Sequence, residues 1–110
     1  APASREAAAQ WTATRLPRGF RLSMSSRDVM ASGRVGEHLV YTDGIASVSV
    51  FIEQAADGRH AAEARFARLG PSSAFSRRVD GHRIVVVGEV PADTVTLIGR
   101  SVRLRESLDR

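Results

Sequence analysis

The clearest alternation of apolar and polar positions lies in HLVYTDGIASVSVFIEQ, residues 38–54, where two alternating runs flank Asp43-Gly44. An Asp-Gly pair between such runs is typical of a two-residue type I′ turn, which needs positive φ at both central residues. This turn places Tyr41 opposite Ala46 in the predicted register. One face of the hairpin is then apolar, as in a sheet with one buried side. The predicted core face carries Leu39, Tyr41, Ala46, Val48, Val50 and Ile52.

A second hairpin is predicted around Asp80-Gly81 in SSAFSRRVDGHRIVVVGEV, residues 72–90. The register of a two-residue turn places Arg78 opposite Arg83, a like-charge pair that is unfavourable without an acidic neighbour. The continuous apolar run after Arg83 is typical of a central strand.

Weaker patterns flank the two hairpins. Pro17 and Gly19 indicate a turn between two short extended pieces, and residues 20–24 alternate as a strand does. The polar, Gly-containing stretch 25–36 is predicted to be a loop. Residues 64–68 suit a strand, although their alanines would also suit a short helix.

The last part of the chain changes to a helical period. Pro91 suits the first helical position and Asp93 the first turn, where the helix dipole favours negative charge. Val95, Ile98 and Val102 fall on one helical face, and arginines follow toward the C-terminal end. We therefore expect an α+β domain, an antiparallel β-meander of about five or six strands with Asp-Gly hairpins, packed against a C-terminal helix. Residues 1–10 are expected to be a flexible lead-in, and residues 11–110 the domain itself.

Composition restricts the possible functions. The chain has 110 residues, 43% hydrophobic, with no cysteine, which excludes disulfides, thiolate zinc sites and cysteine nucleophiles. All sixteen basic residues are arginine and the net charge is +4, but acidic residues are interleaved among them. A nucleic-acid module would more often show a basic stripe with aromatic stacking platforms, so no nucleic-acid partner is expected. These arginines suit solvated surface or a face for an acidic protein partner.

The candidate catalytic groups do not form a recognisable constellation. The three histidines lie in different predicted units, without the spacing of a metal motif. Ser47 and Ser49 lie within a strand and lack a nucleophile elbow. The predicted register places His38 opposite Ser49, yet no carboxylate is positioned to orient that histidine. The sequence thus indicates a binding or scaffolding domain, with no enzymatic activity, metal or cofactor.

Three blocks, LPRGFRL, GEHLVYTDGIASVSVFIE and FSRRVDGHRIVVVGEVPADTVTLIGRSV, resemble the C-terminal domain of the MucB/RseB family. The resemblance covers most of residues 11–102. It implies a periplasmic negative regulator of sigma-E, or of its alginate-regulating counterpart, without catalytic residues. Such proteins bind the periplasmic part of an RseA/MucA-type anti-sigma factor and shield it from proteolysis. A LolA-like N-terminal domain of the same protein would sense lipid or lipopolysaccharide, and we expect this chain, which does not begin with Met, to be a fragment.

The surface for a partner is predicted on the sheet face opposite the core and at the hairpin tips. Phe51 beside arginines suits an interface, although it could instead pack under the helix or a loop. An alternative function is direct binding of envelope lipid, lipopolysaccharide or glycan in an apolar groove between sheet and helix. The candidate partner-binding residues are His38, Val40, Phe51, Arg77, Arg78 and Arg83.

Overall fold

The computed structural model describes residues 9–55 and 64–108, with side chains up to residue 106. Most of the expected lead-in, residues 1–8, therefore lies outside the described residues. The elements are, in chain order, β1 (Trp11–Ala13), β2 (Arg21–Val29), β3 (Val35–Thr42), β4 (Ser47–Gln54), β5 (Ala64–Leu69), β6 (Ser72–Val79), β7 (His82–Gly88), α1 (Ala92–Ser101), β8 (Val102–Leu104) and α2 (Arg105–Leu108).

Two antiparallel sheets are formed. Six strands pair in the order β2-β3-β4-β7-β6-β5, while β1 pairs with β8 in a separate two-stranded sheet. The large sheet thus consists of two three-stranded meanders that are joined where β4 pairs with β7. The predicted α+β class, strand meander and C-terminal helix are confirmed, and residues 64–69 form a strand and not a helix.

The first hairpin has a different turn from the predicted one. Thr42 pairs with Ser47, so that the loop has four residues and the register moves by two. The loop closes around the Asp43 carboxylate, whose Oδ1 accepts hydrogen bonds from the N–H groups of Ile45 at 2.9 Å and Ala46 at 2.8 Å. Both hydrogen bonds lower the pKa of the Asp43 carboxyl, and the one from Ala46 has the larger effect. Because the shift is an even number of residues, the predicted faces are kept, except that Ala46 lies in the loop.

The second hairpin has the predicted turn and register. Asp80 and Gly81 both have positive φ, at 49° and 78°, as a type I′ turn requires. Val79 pairs with His82 and Arg78 with Arg83.

Three assignments differ from the predictions. Most of the stretch 25–36 forms strand, because the polar residues after Met24 belong to edge strand β2, whose exposed side chains give no apolar alternation. A register shift between Leu22 and Met24 also interrupts the period. The helix α1 ends at Ser101 and the chain continues as β8, because the main chain of β1 lies alongside to pair with it. Pro91 is the N-cap and not the first helical residue.

The core lies between one face of the large sheet and a second layer formed by α1 and the β1–β8 sheet. Alternate residues of β3, β4, β6 and β7 face this layer, and the helix itself packs mainly on β6 and β7. Within the described residues, no helix is long and apolar enough to cross a membrane. The buried apolar side chains are Trp11, Leu39, Tyr41, Val48, Val50, Ile52, Phe75, Ile84, Val86, Val95, Ile98 and Val102.

Two polar groups of β3 hold the second layer in place. The carboxylate of Glu37, which is only 5% exposed, accepts hydrogen bonds from the N–H groups of Gln10 at 2.8 Å and Trp11 at 3.2 Å. It also pairs with Arg27 at 3.2 Å. Two residues further along β1, the Ala13 N–H donates to the Tyr41 hydroxyl at 2.9 Å. These bonds satisfy buried groups that would otherwise lose hydration without compensation.

The helix approaches the sheet closely at Gly99. A Cβ at this position would lie 2.8 Å from Phe75 Cε2 and 3.2 Å from Val86 Cγ2. A hydrogen in place of a side chain therefore allows the contact between α1 and strands β6 and β7.

We expect Gly99→Ala to destabilise the domain by about 1–3 kcal/mol because the methyl group would overpack against Phe75. At an exposed helical position the same change would be stabilising, by up to about 1 kcal/mol. Chemical denaturation measures the difference. In a Phe75→Leu background the penalty should shrink, and an equal penalty in both backgrounds would argue against this contact.

We expect Glu37→Ala to cost about 2–4 kcal/mol, because it leaves the Gln10 and Trp11 N–H groups without their acceptor. The comparison variant Arg27→Ala removes the other member of the ion pair, a side chain that is 47% exposed. It should lower the free energy of unfolding by less than about 1 kcal/mol. Denaturation midpoints compare the two variants. Equal losses would show that the ion pair, and not the backbone anchoring, provides the stabilisation.

Candidate docking surface

The six-stranded sheet has one face without a second layer in the described part of the chain. We call this face, opposite α1, the outer face. Residues paired across an antiparallel sheet point to the same side, so the register arranges the outer face in rows. The first row is Asp28, Gly36, Glu53, Arg83 and Arg78. The second row is Ser26, His38, Phe51, Val85, Ser76 and Arg65, and the third is Met24, Val40, Ser49, Val87, Ala74 and Ala67.

Five of the six predicted partner-binding residues share the outer face. His38 and Phe51 are neighbours in the second row, Val40 lies behind them, and Arg78 and Arg83 form one end of the first row. Phe51 is half-buried among its sheet neighbours and not under the helix. The centre of the face is therefore aromatic and aliphatic, with arginines at its rim.

Arg77, the sixth predicted residue, lies on the other face of the sheet. Its guanidinium donates to the carbonyl oxygens of Gly99 at 3.2 Å and Arg100 at 3.0 Å, at the C-terminal end of α1. A cation is favoured there by the helix dipole. Burial lowers the pKa of Arg77, and the nearby charges of Arg103 and Arg100 lower it further. The expectation that Arg77 clusters with Arg78 and Arg83 is wrong because neighbouring residues of a strand point to opposite faces.

His38 and Phe51 form a stacked pair at the centre of the outer face. Their ring centroids are 4.4 Å apart and the ring planes are inclined by 12°. His38 thus faces Phe51 and not Ser49, which removes the geometry of a histidine–serine pair. The Nε2 atom of His38 is buried and has no hydrogen-bond partner among the described residues. Burial lowers the pKa of His38, while the charge of Asp28 raises it and offsets part of that shift.

Cavities lie along the outer face. One of them, of about 410 Å³, is bounded by the stacked rings, by Met30 and Ala31 of the β2–β3 loop, and by Asp28 and Glu53. A neighbouring cavity of about 260 Å³ is lined by Arg34, Arg78 and Arg83 and shares Glu53.

Sequence reasoning missed the acidic part of this surface. Asp28 lay in a stretch predicted to be a loop, and Glu53 followed an apolar run without any motif. The alternation of β4 did contain a signal for Glu53, since it places this residue on the same face as Ser49 and Phe51.

The described residues include no group of three or more His, Asp or Glu side chains that could hold a metal ion. In the described part of the chain His38 stacks on Phe51, and the ring of His82 lies 4.9 Å from that of Trp11. Neither geometry resembles a nucleophile–base pair. The fold is that of an α+β domain whose six-stranded sheet leaves one face open among the described residues.

The chain belongs to the MucB/RseB family: residues 5–103 match the model of the MucB/RseB C-terminal domain. A relative from Pseudomonas aeruginosa, "Sigma factor AlgU regulatory protein MucB", is 37% identical over 109 residues. The match covers 94% of this chain and 34% of the relative, so the chain spans about a third of that protein's length.

Solved structures of MucB share the fold. "Crystal structure of MucB in complex with MucA(peri)" matches with a TM-score of 0.75 and 30% identity, over 88% of this chain and 37% of that one. "The complex structure of Pseudomonas aeruginosa MucA/MucB" matches with a TM-score of 0.75 and 34% identity, over 87% of this chain and 35% of that one. The resemblance found in the sequence is confirmed.

We expect the stability of the domain to fall as the pH decreases below about 6.5, the usual histidine pKa, because of His38. Its folded-state pKa is lowered, so at these pH values the unfolded chain binds more protons than the folded one, and acid favours unfolding. Unfolding at several pH values between about 7.5 and 5 measures the effect.

Two variants isolate the contribution of His38. His38→Phe removes the titrating group and keeps an aromatic ring, so its stability should depend less on pH. Asp28→Asn removes the charge that raises the pKa of His38 and should steepen the dependence. An unchanged profile in His38→Phe would contradict this assignment.

Proposed function

We propose that this domain binds the periplasmic part of a MucA-type anti-sigma factor through its outer face. As part of a longer periplasmic protein it would shield that factor from proteolysis and so restrain the sigma-E (AlgU) stress response. The observation that carries the proposal is the outer face itself, six strands wide and without a covering layer among the described residues. It belongs to a fold shared with MucB, whose complexes with MucA have been solved.

The chemistry of the outer face suits a protein partner. Its centre combines the His38–Phe51 stack with Val40, Val85 and other small or aliphatic side chains. Interfaces typically have such an apolar centre, with aromatic residues and arginine enriched and a polar rim around them. Apolar residues gathered on a face, unlike single exposed ones, indicate an interaction site.

The rim supports the same proposal. Arg78 and Arg83 are cross-strand neighbours and place two positive charges side by side at one end of the first row. This arrangement is electrostatically complementary to an acidic group of a partner. Since rim charges act mainly on the association rate and its salt dependence, these arginines would steer the partner to the face.

Binding of a lipid between sheet and helix has less support. At Gly99 the helix backbone comes so close to Phe75 and Val86 that a single added carbon would collide with the Phe75 ring. The side chains of Ile84, Val86 and Ile98 in this layer are fully buried. An acyl chain would have to displace these contacts, whereas the outer face is already open.

We expect the domain to bind the periplasmic segment of a MucA-type anti-sigma factor in titration calorimetry, more weakly at about 300 mM salt than at about 50 mM. The double change Arg78→Ala, Arg83→Ala should weaken binding about tenfold. This corresponds to a loss of roughly 1.4 kcal/mol of binding free energy, to which both charges contribute.

The matched control is Arg18→Ala, Arg105→Ala, which removes two exposed arginines outside the outer face and changes the net charge equally. It should leave the affinity at the wild-type value. Equal weakening by both double variants would indicate an effect of net charge alone. Absence of binding by the folded domain would overturn the proposal and assign recognition to the remainder of the protein.

A further inference from the structure

The first row of the outer face is ordered by charge. Across the strands from β2 to β6 it contains Asp28, Gly36, Glu53, Arg83 and Arg78. One half of the row is therefore acidic and the other half basic. Glu53 and Arg83 are cross-strand neighbours, yet no ion pair forms between them.

The acidic half borders the 410 Å³ cavity. Asp28 and Glu53 lie two strand spacings apart, roughly 10 Å, on either side of Gly36. Gly36 has no side chain, and Met30 packs over it, since a Cβ at Gly36 would lie 3.0 Å from Met30 Cγ and Cε. The cavity thus combines an apolar interior, completed by Phe51, with a carboxylate on each side.

These carboxylates keep most of their capacity to accept hydrogen bonds. Glu53 Oε1 accepts from the Ser32 hydroxyl at 2.6 Å. Within residues 9–55 and 64–108, no hydrogen bond or ion pair engages Glu53 Oε2 or the carboxylate of Asp28. An acyl chain would leave these oxygens without a partner, and a phosphate would be repelled by them. A basic side chain satisfies both the charges and the apolar interior, because the stems of lysine and arginine are aliphatic.

We infer that the outer face takes a segment of the partner that carries a basic and an acidic side chain about 10–14 Å apart. The basic side chain enters the cavity between Asp28 and Glu53, with its stem against Phe51 and Met30. The acidic side chain meets Arg83, two strand spacings from the cavity centre at Gly36. The inference rests on the proposed function and adds to it which end of the row takes each charge of the segment.

The test is a double-mutant cycle by calorimetry between this chain and the periplasmic segment of a MucA-type anti-sigma factor. Asp28→Asn, Glu53→Gln and Arg83→Gln are each measured against partner segments in which one charged residue at a time is replaced by alanine. Glu53→Gln should weaken binding about tenfold, as expected for one lost charge-assisted hydrogen bond. One basic partner residue should be coupled to both Glu53 and Asp28, and one acidic residue to Arg83.

Ser32→Ala is the matched control, since it removes the hydroxyl bound to Glu53 but keeps the carboxylate and its charge. It should bind as the wild type does, and thermal unfolding of each variant shows whether the fold is retained. If the wild type binds and no basic partner residue is coupled to Asp28 or Glu53, the inference is overturned while the proposed function stands. If the folded wild type does not bind, the proposed function fails, and the inference fails with it.

Discussion

The structure depends on how β3 holds the layer that covers the sheet. A six-stranded sheet of this size needs one face shielded from water, and a ten-residue helix covers only part of it. The rest is covered by β1 and β8, which come from opposite ends of the domain. Their place is set by the buried carboxylate of Glu37 and the hydroxyl of Tyr41, which accept backbone N–H groups of Gln10, Trp11 and Ala13. A buried charge is stable here because backbone donors and Arg27 surround it.

Covering one face leaves the opposite face open, among the described residues, for the recognition that we propose. The covered face and the open face differ in their packing. On the inner side the helix packs so closely on Phe75 at Gly99 that no side chain fits between them. On the outer side the rings of His38 and Phe51 stack on each other, no described residue forms a layer over them, and cavities lie beside them. The pairing of the strands fixes the register of the outer rows and, with it, the spacing between their charges.

Local rules predicted the two hairpins to different extents. At Asp80-Gly81 both residues adopt positive φ, and the predicted register is confirmed. At Asp43-Gly44 the aspartate side chain accepts two backbone N–H groups, which stabilises a longer loop. In both hairpins the predicted strand residues stay in the core. The reason is that a register shift by an even number of residues leaves each side chain on the same face of the sheet. Only the first part of the edge strand β2, up to Met24, was predicted, since neither face of this strand is deeply buried.

The sequence by itself determined the fold class, the buried face of each central strand and the family, because alternation and turn residues are local properties. Of the six residues that it predicts for partner binding, five lie together on the outer face, and their role in binding stays a prediction. Only the tertiary structure decided the rest. It assigned Arg77 to the end of α1, ended that helix at Ser101 so that β8 could pair with β1, and aligned Asp28 and Glu53 with Arg83 in one row. These features depend on pairings between distant segments, which no local pattern encodes.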